Sequence, residues 1–351
     1  MTSTRDLWIG SYPAPGASLE EPPEEGIWYA RLEVATGRVL EARLVLQMRA
    51  PSFLAVGETG GMLYAVNEAR DGRVSVCTVR GGRTGEGPSL AVAAEVPSGG
   101  RGPCHLTVVP GLGIVVANYG SGSVGLIRLT PSGLPEDGAP HQVVQLHGTG
   151  PNQARQAASH AHFVLPVPGG ETLLVSDLGG DELRRCRVDR DARCLVDDGT
   201  AVALPPGAGP RHAVFSEDGR WLYVVGELDG QIHRVRWDAR TATGRCVDAV
   251  PLPGPAPQAA HITRVGATLV VGVRGTNVLS RHQTGPDGQV GPGTTVPLPG
   301  MCPRHHADVG PWYIVAQQDA GGVAILDATG RVADTIPVPA PACVLPVPDI
   351  N

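Results

Sequence analysis

The feature that most constrains this chain is an internal repeat with a period of roughly fifty residues. Its first element is a short strand that opens on Pro or a small residue and often carries His in third place. The copies are Pro51-Ser-Phe-Leu-Ala-Val56, Pro103-Cys-His-Leu-Thr-Val108, His160-Ala-His-Phe-Val-Leu165, Pro210-Arg-His-Ala-Val-Phe215, Ala259-Ala-His-Ile-Thr-Arg264 and Pro303-Arg-His-His-Ala-Asp308. A seventh, Pro341-Ala-Cys-Val-Leu-Pro-Val347, lies at the far end. Each of the first six is followed by a turn and a second apolar strand, as in Leu63-Tyr-Ala-Val-Asn-Glu68, Ile114-Val-Val-Ala-Asn-Tyr119 and Leu222-Tyr-Val-Val-Gly-Glu227. The seventh second strand, Leu7-Trp-Ile-Gly-Ser-Tyr12, stands at the start of the chain without a first strand before it. These two orphans complete each other, which closes a ring and removes an exposed sheet edge. A third strand of alternating character and an outer fourth strand complete each unit. Four strands per unit at this period predict an all-β, seven-bladed β-propeller, with four antiparallel strands per blade and residues 1–351 as a single propeller domain.

Composition agrees with that reading. Length alone would suggest two domains, but a propeller can run to 351 residues as one unit. The 48 Gly and 33 Pro recur beside apolar runs and therefore mark turns. All 28 basic residues are Arg, which excludes Schiff-base lysine chemistry and any phosphate loop built on Lys. The net charge of −6 gives no reason to expect nucleic acid or an anionic membrane surface as a partner. The seven Cys are scattered without a C-x-x-C pair, which argues against a disulfide framework or zinc ribbon. Neither a signal-like N-terminus nor an apolar run of about 18 residues is present, so a cytoplasmic monomer or weak homodimer is expected.

Up-and-down strand order locates a mouth. Starts of the first strands, ends of the second strands and the loop at residues 148–159 surround one opening of the central channel. The second strands end in Tyr12, Glu68, Tyr119, Leu178, Glu227, Arg274 and Gln318; the first strands add His105, His162, Arg211, His212, His261, Arg304, His305 and His306. Converging titratable groups in a concavity are the default site hypothesis. Third-position His recurs in five blades (105, 162, 212, 261 and 305), and such repetition points to a structural bond to the next blade. Arg211 and Glu227 are expected either to form a plain ion pair or to share the site. No metal is expected, because His residues taken from different blades at equal register form a ring rather than a ligand set. Gly120-Ser-Gly-Ser-Val-Gly125 matches G-x-G-x-x-G by letter but joins two strands and opens no helix, so it is not a dinucleotide site.

The chain resembles the lactonase family of seven-bladed propellers, which includes the propeller-type 6-phosphogluconolactonases and the carboxymuconate-lactonizing enzymes. The resemblance rests on Ile9-Gly-Ser-Tyr12, Ala65-Val-Asn-Glu68, Gly102-Pro-Cys-His105, Ala117-Asn-Tyr-Gly-Ser-Gly-Ser-Val124, Gly150-Pro-Asn-x-x-Arg-Gln156, His160-Ala-His162, Gly209-Pro-Arg-His212 and Gly226-Glu-Leu228. It implies a catalytic set of His162, Arg211, Glu227 and Arg274, no cofactor, and an anionic lactone or carboxylate as substrate. Substrate contacts are expected from Gln318, Glu68, Tyr119, Arg155, His105 and Arg304. Glu227 or His162 would serve as general base, with Arg211 and Arg274 on an anionic group or oxyanion. The first-to-second-strand turns at residues 265–268 and 309–312 are shorter than the family's, and this shortening of blades 6 and 7 is expected to leave room for a different substrate; Val273-Arg-Gly-Thr276 keeps the Arg of the family's Asn-Arg-Gly-His but departs from it on both sides. Lactone hydrolysis is the leading reading. A lactonizing or isomerising proton transfer on an unsaturated carboxylate and a non-enzymatic binding scaffold are the alternatives.

Overall fold

In the computed structural model, residues 3–12, 24–81, 87–319 and 322–347 are described. They form seven four-stranded antiparallel sheets. Blade 1 is made of Thr4–Ser11, Glu24–Glu33, Arg38–Arg49 and, on its inner side, Pro341–Pro346. The inner strands of blades 2 to 7 are Leu54–Val56, Pro103–Val109, Ala161–Pro166, Pro210–Phe215, Gln258–Val265 and Pro303–Val309. Neighbouring inner strands touch in sequence around the whole circle, and Pro341–Pro346 touches both blade 7 and blade 2. The expected closure is therefore present: Leu7 to Ser11 pair with Pro346 back to Pro341. Among the described residues there is no helix, hence none long and apolar enough to cross a membrane.

Strand position follows side-chain pattern. Second strands such as Gly113–Asn118 and Trp221–Gly226 are continuously apolar, apart from ends, and every residue in them is buried, since a blade has a neighbour on each face. Outer strands such as Arg38–Arg49 alternate between exposed and half-buried residues. The core is divided accordingly. Seven apolar clusters each fill the gap between two adjacent blades; Trp8, Leu54 and Leu63 fill one such gap and Leu173, Val175, Val115 and Leu126 another.

Two expectations need correction. The second strands of blades 1 to 5 and 7 stop one residue early, so Tyr12, Glu68, Tyr119, Leu178, Glu227 and Gln318 lie just past a strand end, and only Arg274 is the last residue of its strand. More consequentially, blade 4 is one residue out of the register read from its sequence. The amide of Leu178 bonds the carbonyl of His160, as that of Glu227 bonds Gly209 and that of Tyr119 bonds Gly102. His160 is therefore equivalent to Gly209, Ala161 to Pro210, His162 to Arg211 and Phe163 to His212. Histidine recurs at the third position in four blades, not five.

Below the mouth, those third-position side chains plug the channel. Phe53, His105, Phe163, His212, His261 and His305 make a continuous series of ring contacts, with centroids 4.0–5.5 Å apart between successive members. His105 Nδ1 accepts the Val164 amide and His305 Nδ1 accepts the Val344 amide, each at 3.3 Å and each from the next blade. His212 and His261 bring their Nδ1 atoms to 2.7 Å, an arrangement that takes one proton between them. Burial pushes His105 and His306 down to about 3 and moves His212, His261 and His305 well below their ordinary value.

These histidines are neutral when folded and free to protonate when unfolded. The unfolded chain therefore binds more protons below the ordinary histidine value of about 6.5, and stability falls as pH drops through that point. Each group contributes up to about 1.4 kcal/mol per pH unit in the interval where only the unfolded form is protonated. His233, raised to about 9 against burial by Asp229 and Cys246, works in the other direction but only above that window, where its stabilisation is lost as pH rises. The urea midpoint is accordingly expected to fall steeply between pH 6.5 and 5; a flat profile there would show that the channel histidines accept protons in place.

Candidate active site

The corrected register puts a second ring, one residue nearer the mouth, on the same level: Ser52, Cys104, His162, Arg211, Ala260, Arg304 and Ala342. Six of the seven inner strands carry an irregularity at this level, beside Cys104, His162, Arg211, Ala260, Arg304 and Ala342. Such bulges re-aim side chains out of the regular pleat. Around that ring stand the residues that follow the second strands. Polar groups from several blades thus converge on one opening.

At its centre is Glu227, 4% exposed. Its Oε1 accepts a hydrogen bond from Arg155 Nη2 at 2.6 Å. Its Oε2 lies 3.0 Å from Arg211 Nε, 2.8 Å from Arg274 Nη2 and 4.0 Å from His162 Nε2. The Arg211 contact is an ion pair without an aligned hydrogen bond, because Nε has no acceptor along its N–H direction. Arg274 Nε is also buried and unpartnered. Both guanidiniums are fixed from behind by blade 6: Arg211 Nη1 donates to the Ala260 carbonyl and Arg274 Nη2 to that of Ala259, the latter at 3.1 Å. The expected Arg211–Glu227 pair is present, as part of a five-residue group with Arg155, Arg274 and His162.

Arg155 reaches this group from a loop, and the loop is fastened by its neighbour. Gln156 is fully buried; its Nε2 donates to the Leu178 carbonyl at 3.0 Å and to Asp181 Oδ1 at 2.7 Å, while its Oε1 accepts the Asn152 amide. A Cβ on Gly150 would lie 2.5 Å from the Gln156 side chain, so glycine is needed where the loop folds over it. Arg155 also donates to Tyr119 Oη at 3.1 Å, which ties blade 3 to blade 5 across the opening. Tyr119 stacks on His160 at 4.4 Å and meets His162 edge-on at 5.4 Å.

Electrostatics separate these groups. Burial works to raise the Glu227 carboxyl, but Arg274 and Arg211, then His162 and Arg155, outweigh it and hold the group well below the usual carboxylate range. Burial and Arg211 push His162 well down, against Glu227, so the imidazole is neutral at neutral pH. Burial and the like charge of Arg274 lower Arg211 to about 9, which still leaves it protonated. The group therefore holds three guanidiniums, one carboxylate and a neutral imidazole.

A second carboxylate, Glu68, stands on the same mouth. Its Oε2 accepts from Ser52 Oγ at 2.5 Å and its Oε1 from Tyr12 Oη; the Arg304 guanidinium lies over the Tyr12 ring, 4.5 Å from its centroid. Glu68, Ser52, Cys104, Arg211 and Arg304 line a cavity of about 10 Å³, near the lower limit for one water. Cys104 donates to the His162 carbonyl and approaches its Nδ1 to 3.8 Å. Sequence reasoning misses Ser52 and Cys104, which only their level in the ring reveals. It does single out Gln318, whose buried Oε1 has no partner. His105 is the expected residue that the structure sets apart: it lies in the channel plug between Phe53 and Phe163.

Larger clefts, of about 480 and 540 Å³, open among the first-to-second-strand turns around Met62, Leu112 and Gly133 and around Trp221, Ala267 and Gly288. Size favours them, but the displaced groups there are the surface Asp218, paired with Arg220 on its own turn, and the Tyr64 and Tyr223 hydroxyls, which donate to backbone carbonyls, so chemistry favours the mouth. The short turns at residues 265–268 and 309–312 are two-residue hairpins at the same far end, with Gly266 and Gly310 at positive φ. They do not touch the mouth, so the expectation that their shortening makes room for another substrate is not met. Thr276 is tied instead to the Pro253 carbonyl at 2.9 Å. Among the described residues no three His, Cys, Asp or Glu side chains converge as a metal ligand set.

This architecture has known relatives. The chain is 26% identical to the 6-phosphogluconolactonase of Bacillus subtilis over 96% of its own length and 97% of that protein's. It is 25% identical to a Formosa agariphila 6-phosphogluconolactonase over 62% of each chain. The solved structure of the Pseudomonas aeruginosa periplasmic gluconolactonase superposes with a TM-score of 0.86 at 26% identity, covering 99% of both chains. A family model described as "Lactonase, 7-bladed beta-propeller" matches residues 6–346, and the chain belongs to that family.

Proposed function

We propose that this protein hydrolyses an anionic lactone of the 6-phosphogluconolactone kind. The observation that carries the reading is the grouping of Arg155, Arg211 and Arg274 around the single carboxylate of Glu227. One carboxylate offsets one guanidinium, which leaves an excess of positive charge at the mouth of an acidic protein. That excess suits a substrate carrying phosphate or carboxylate, which Arg binds bidentately. The names of the relatives support the same class of reaction.

Hydrolysis needs a base for water and donors for the carbonyl oxygen. His162 is the better base of the two candidates. Protonating Glu227 would leave three guanidiniums facing one another without a counter-charge. Protonating His162 instead creates an imidazolium 4.0 Å from a carboxylate that stabilises it. Water's oxygen bonds to the lactone carbonyl carbon as His162 takes its proton. The unpartnered N–H groups of Arg211 and Arg274 are available to the oxyanion, each such donor being worth roughly 10²–10³-fold in rate. Arg155, on its fastened loop and 40% exposed, holds the substrate's anionic group from the rim.

On 6-phosphogluconolactone, His162→Gln is expected to lose about 10²–10⁴-fold in kcat. Glu227→Gln should also lose turnover and lower the urea midpoint, since stripping one partner from a buried ion pair costs about 3–5 kcal/mol. Wild-type turnover in both variants would refute the assignment. Arg155→Met should raise KM with kcat within a few-fold; an unchanged KM would remove Arg155 from substrate binding.

A further inference from the structure

The outer strand of blade 1, Arg38–Arg49, is 12 residues long and forms one edge of its sheet. Among the described residues no strand pairs with its outward side. It is also the only outer strand that exposes two large apolar side chains, Leu40 at 46% and Leu44 at 40%. A bare edge of this length is a template for another strand unless charge, proline or bulges blunt it. Here the blunting is confined to the flanks. The Val39 amide donates to Asp334 Oδ2 of blade 7 at 2.8 Å, and the register against Glu24–Glu33 slips once at Leu40 and once at Val45. Between the slips, residues 41–44 run regularly.

That stretch reads alike from both ends. Glu41 and Arg43 flank Ala42, Leu40 and Leu44 stand beyond them, and Val39 and Val45 beyond those. Glu41 and Arg43 lie opposite Arg31 and Tyr29 and share one side of the sheet; Ala42 and Leu44 lie opposite Ala30 and Trp28 and share the other. Two identical strands joined antiparallel about a two-fold axis perpendicular to their sheet keep their sides, so each residue must meet one that faces as it does. Centring the axis on Ala42 satisfies this. It sets Glu41 against Arg43 and Leu40 against Leu44, each twice, and such cross-strand pairs are what stabilises a sheet. Arg43 Nε already meets Glu41 Oε1 of its own strand at 2.8 Å, so pairing gathers four alternating charges into one cluster. In no other outer strand of the described residues do an acid and an arginine flank a single residue.

We propose that two copies of this protein associate through this edge, residues 40–44 of one pairing antiparallel with residues 40–44 of the other about Ala42. The two blade 1 sheets then form one continuous sheet. Antiparallel pairing inverts one copy relative to the other, so the two mouths open in opposite directions and neither is covered. Turnover is therefore independent of association, and the proposal does not rest on the lactonase reading.

Sedimentation velocity at rising protein concentration is expected to show monomer converting to dimer. Arg43→Glu and Glu41→Arg each set like charges across the axis, and each should remain monomeric where wild type is dimeric. The two together restore opposite charges and should restore the dimer, which a merely structural role of either side chain does not explain. Oxidation of Ala42→Cys reads the register. Its two copies meet directly, with Cα atoms about 4.5–5.5 Å apart and within disulfide reach. Two copies of Leu40→Cys lie four residues apart along the pair, about 14 Å, and should not cross-link. Wild type oxidised in parallel corrects for the half-buried native Cys194, Cys246 and Cys302. All these variants should keep wild-type turnover and urea midpoint. A wild type that stays monomeric, with no cross-link in Ala42→Cys beyond that of wild type, overturns the proposal. So does a dimer that persists in Arg43→Glu, is not restored by the double reversal, or cross-links through Leu40→Cys as readily as through Ala42→Cys, since it forms through another surface or register.

Discussion

Everything at the mouth depends on one strand pairing between the two ends of the chain. Pro341–Pro346 lies against Thr4–Ser11 and fills the inner place of blade 1. Without it the ring would have a gap and two unpaired edges. With it, seven inner strands start at the same height around a closed circle, and residues scattered over two hundred positions become neighbours. Ser52, Cys104, His162, Arg211 and Arg304 share one level only because the circle is closed. The site is in this sense a property of the ring and of no single blade.

Closure also sets the dielectric. The plug of Phe53, Phe163 and neutral histidines closes the channel beneath the charged level, so water reaches the mouth from one side. Charges in such a place interact more strongly than in solution. That is why the guanidiniums can hold Glu227 ionised against its burial, whereas at Glu68 the burial that raises its carboxyl outweighs Arg304 and the Ser52 and Tyr12 hydroxyls that oppose it. Identical side chains on one mouth thus acquire different proton affinities from the balance of burial and the charges set against them.

Much of this was legible in the sequence. The repeat identified the seven inner strands, the closing pair and the mouth, because strands buried on both faces must be apolar and the departures from that rule are few. Glu227 and Arg274 stand out as such departures, and Arg211 as a partner for Glu227. The error at blade 4 has a specific cause: His160-Ala-His162 imitates the Pro-x-His opening one residue too early. A spacing could have resolved it. Leu63 follows Phe53, and Leu222 follows His212, by ten residues; in blade 4, Leu173 is ten residues from Phe163 and eleven from His162. Ser52 and Cys104 could not be read, because small side chains break no pattern and matter only through what the ring places beside them. The contacts of Arg155 were equally hidden, since they depend on a loop folded over a buried Gln156.

The central claim is that an excess of guanidinium charge at the mouth selects an anionic substrate. Calorimetric titration with 6-phosphogluconate and with gluconate tests it most directly, since the two ligands differ only in the phosphate. The phosphorylated ligand should bind at least about tenfold tighter, the effect of a single charge-assisted contact of roughly 1.5–3 kcal/mol, and the difference should shrink in Arg155→Met and at high salt. Equal affinities for the two ligands, or a preference that survives Arg155→Met at any salt concentration, would contradict it.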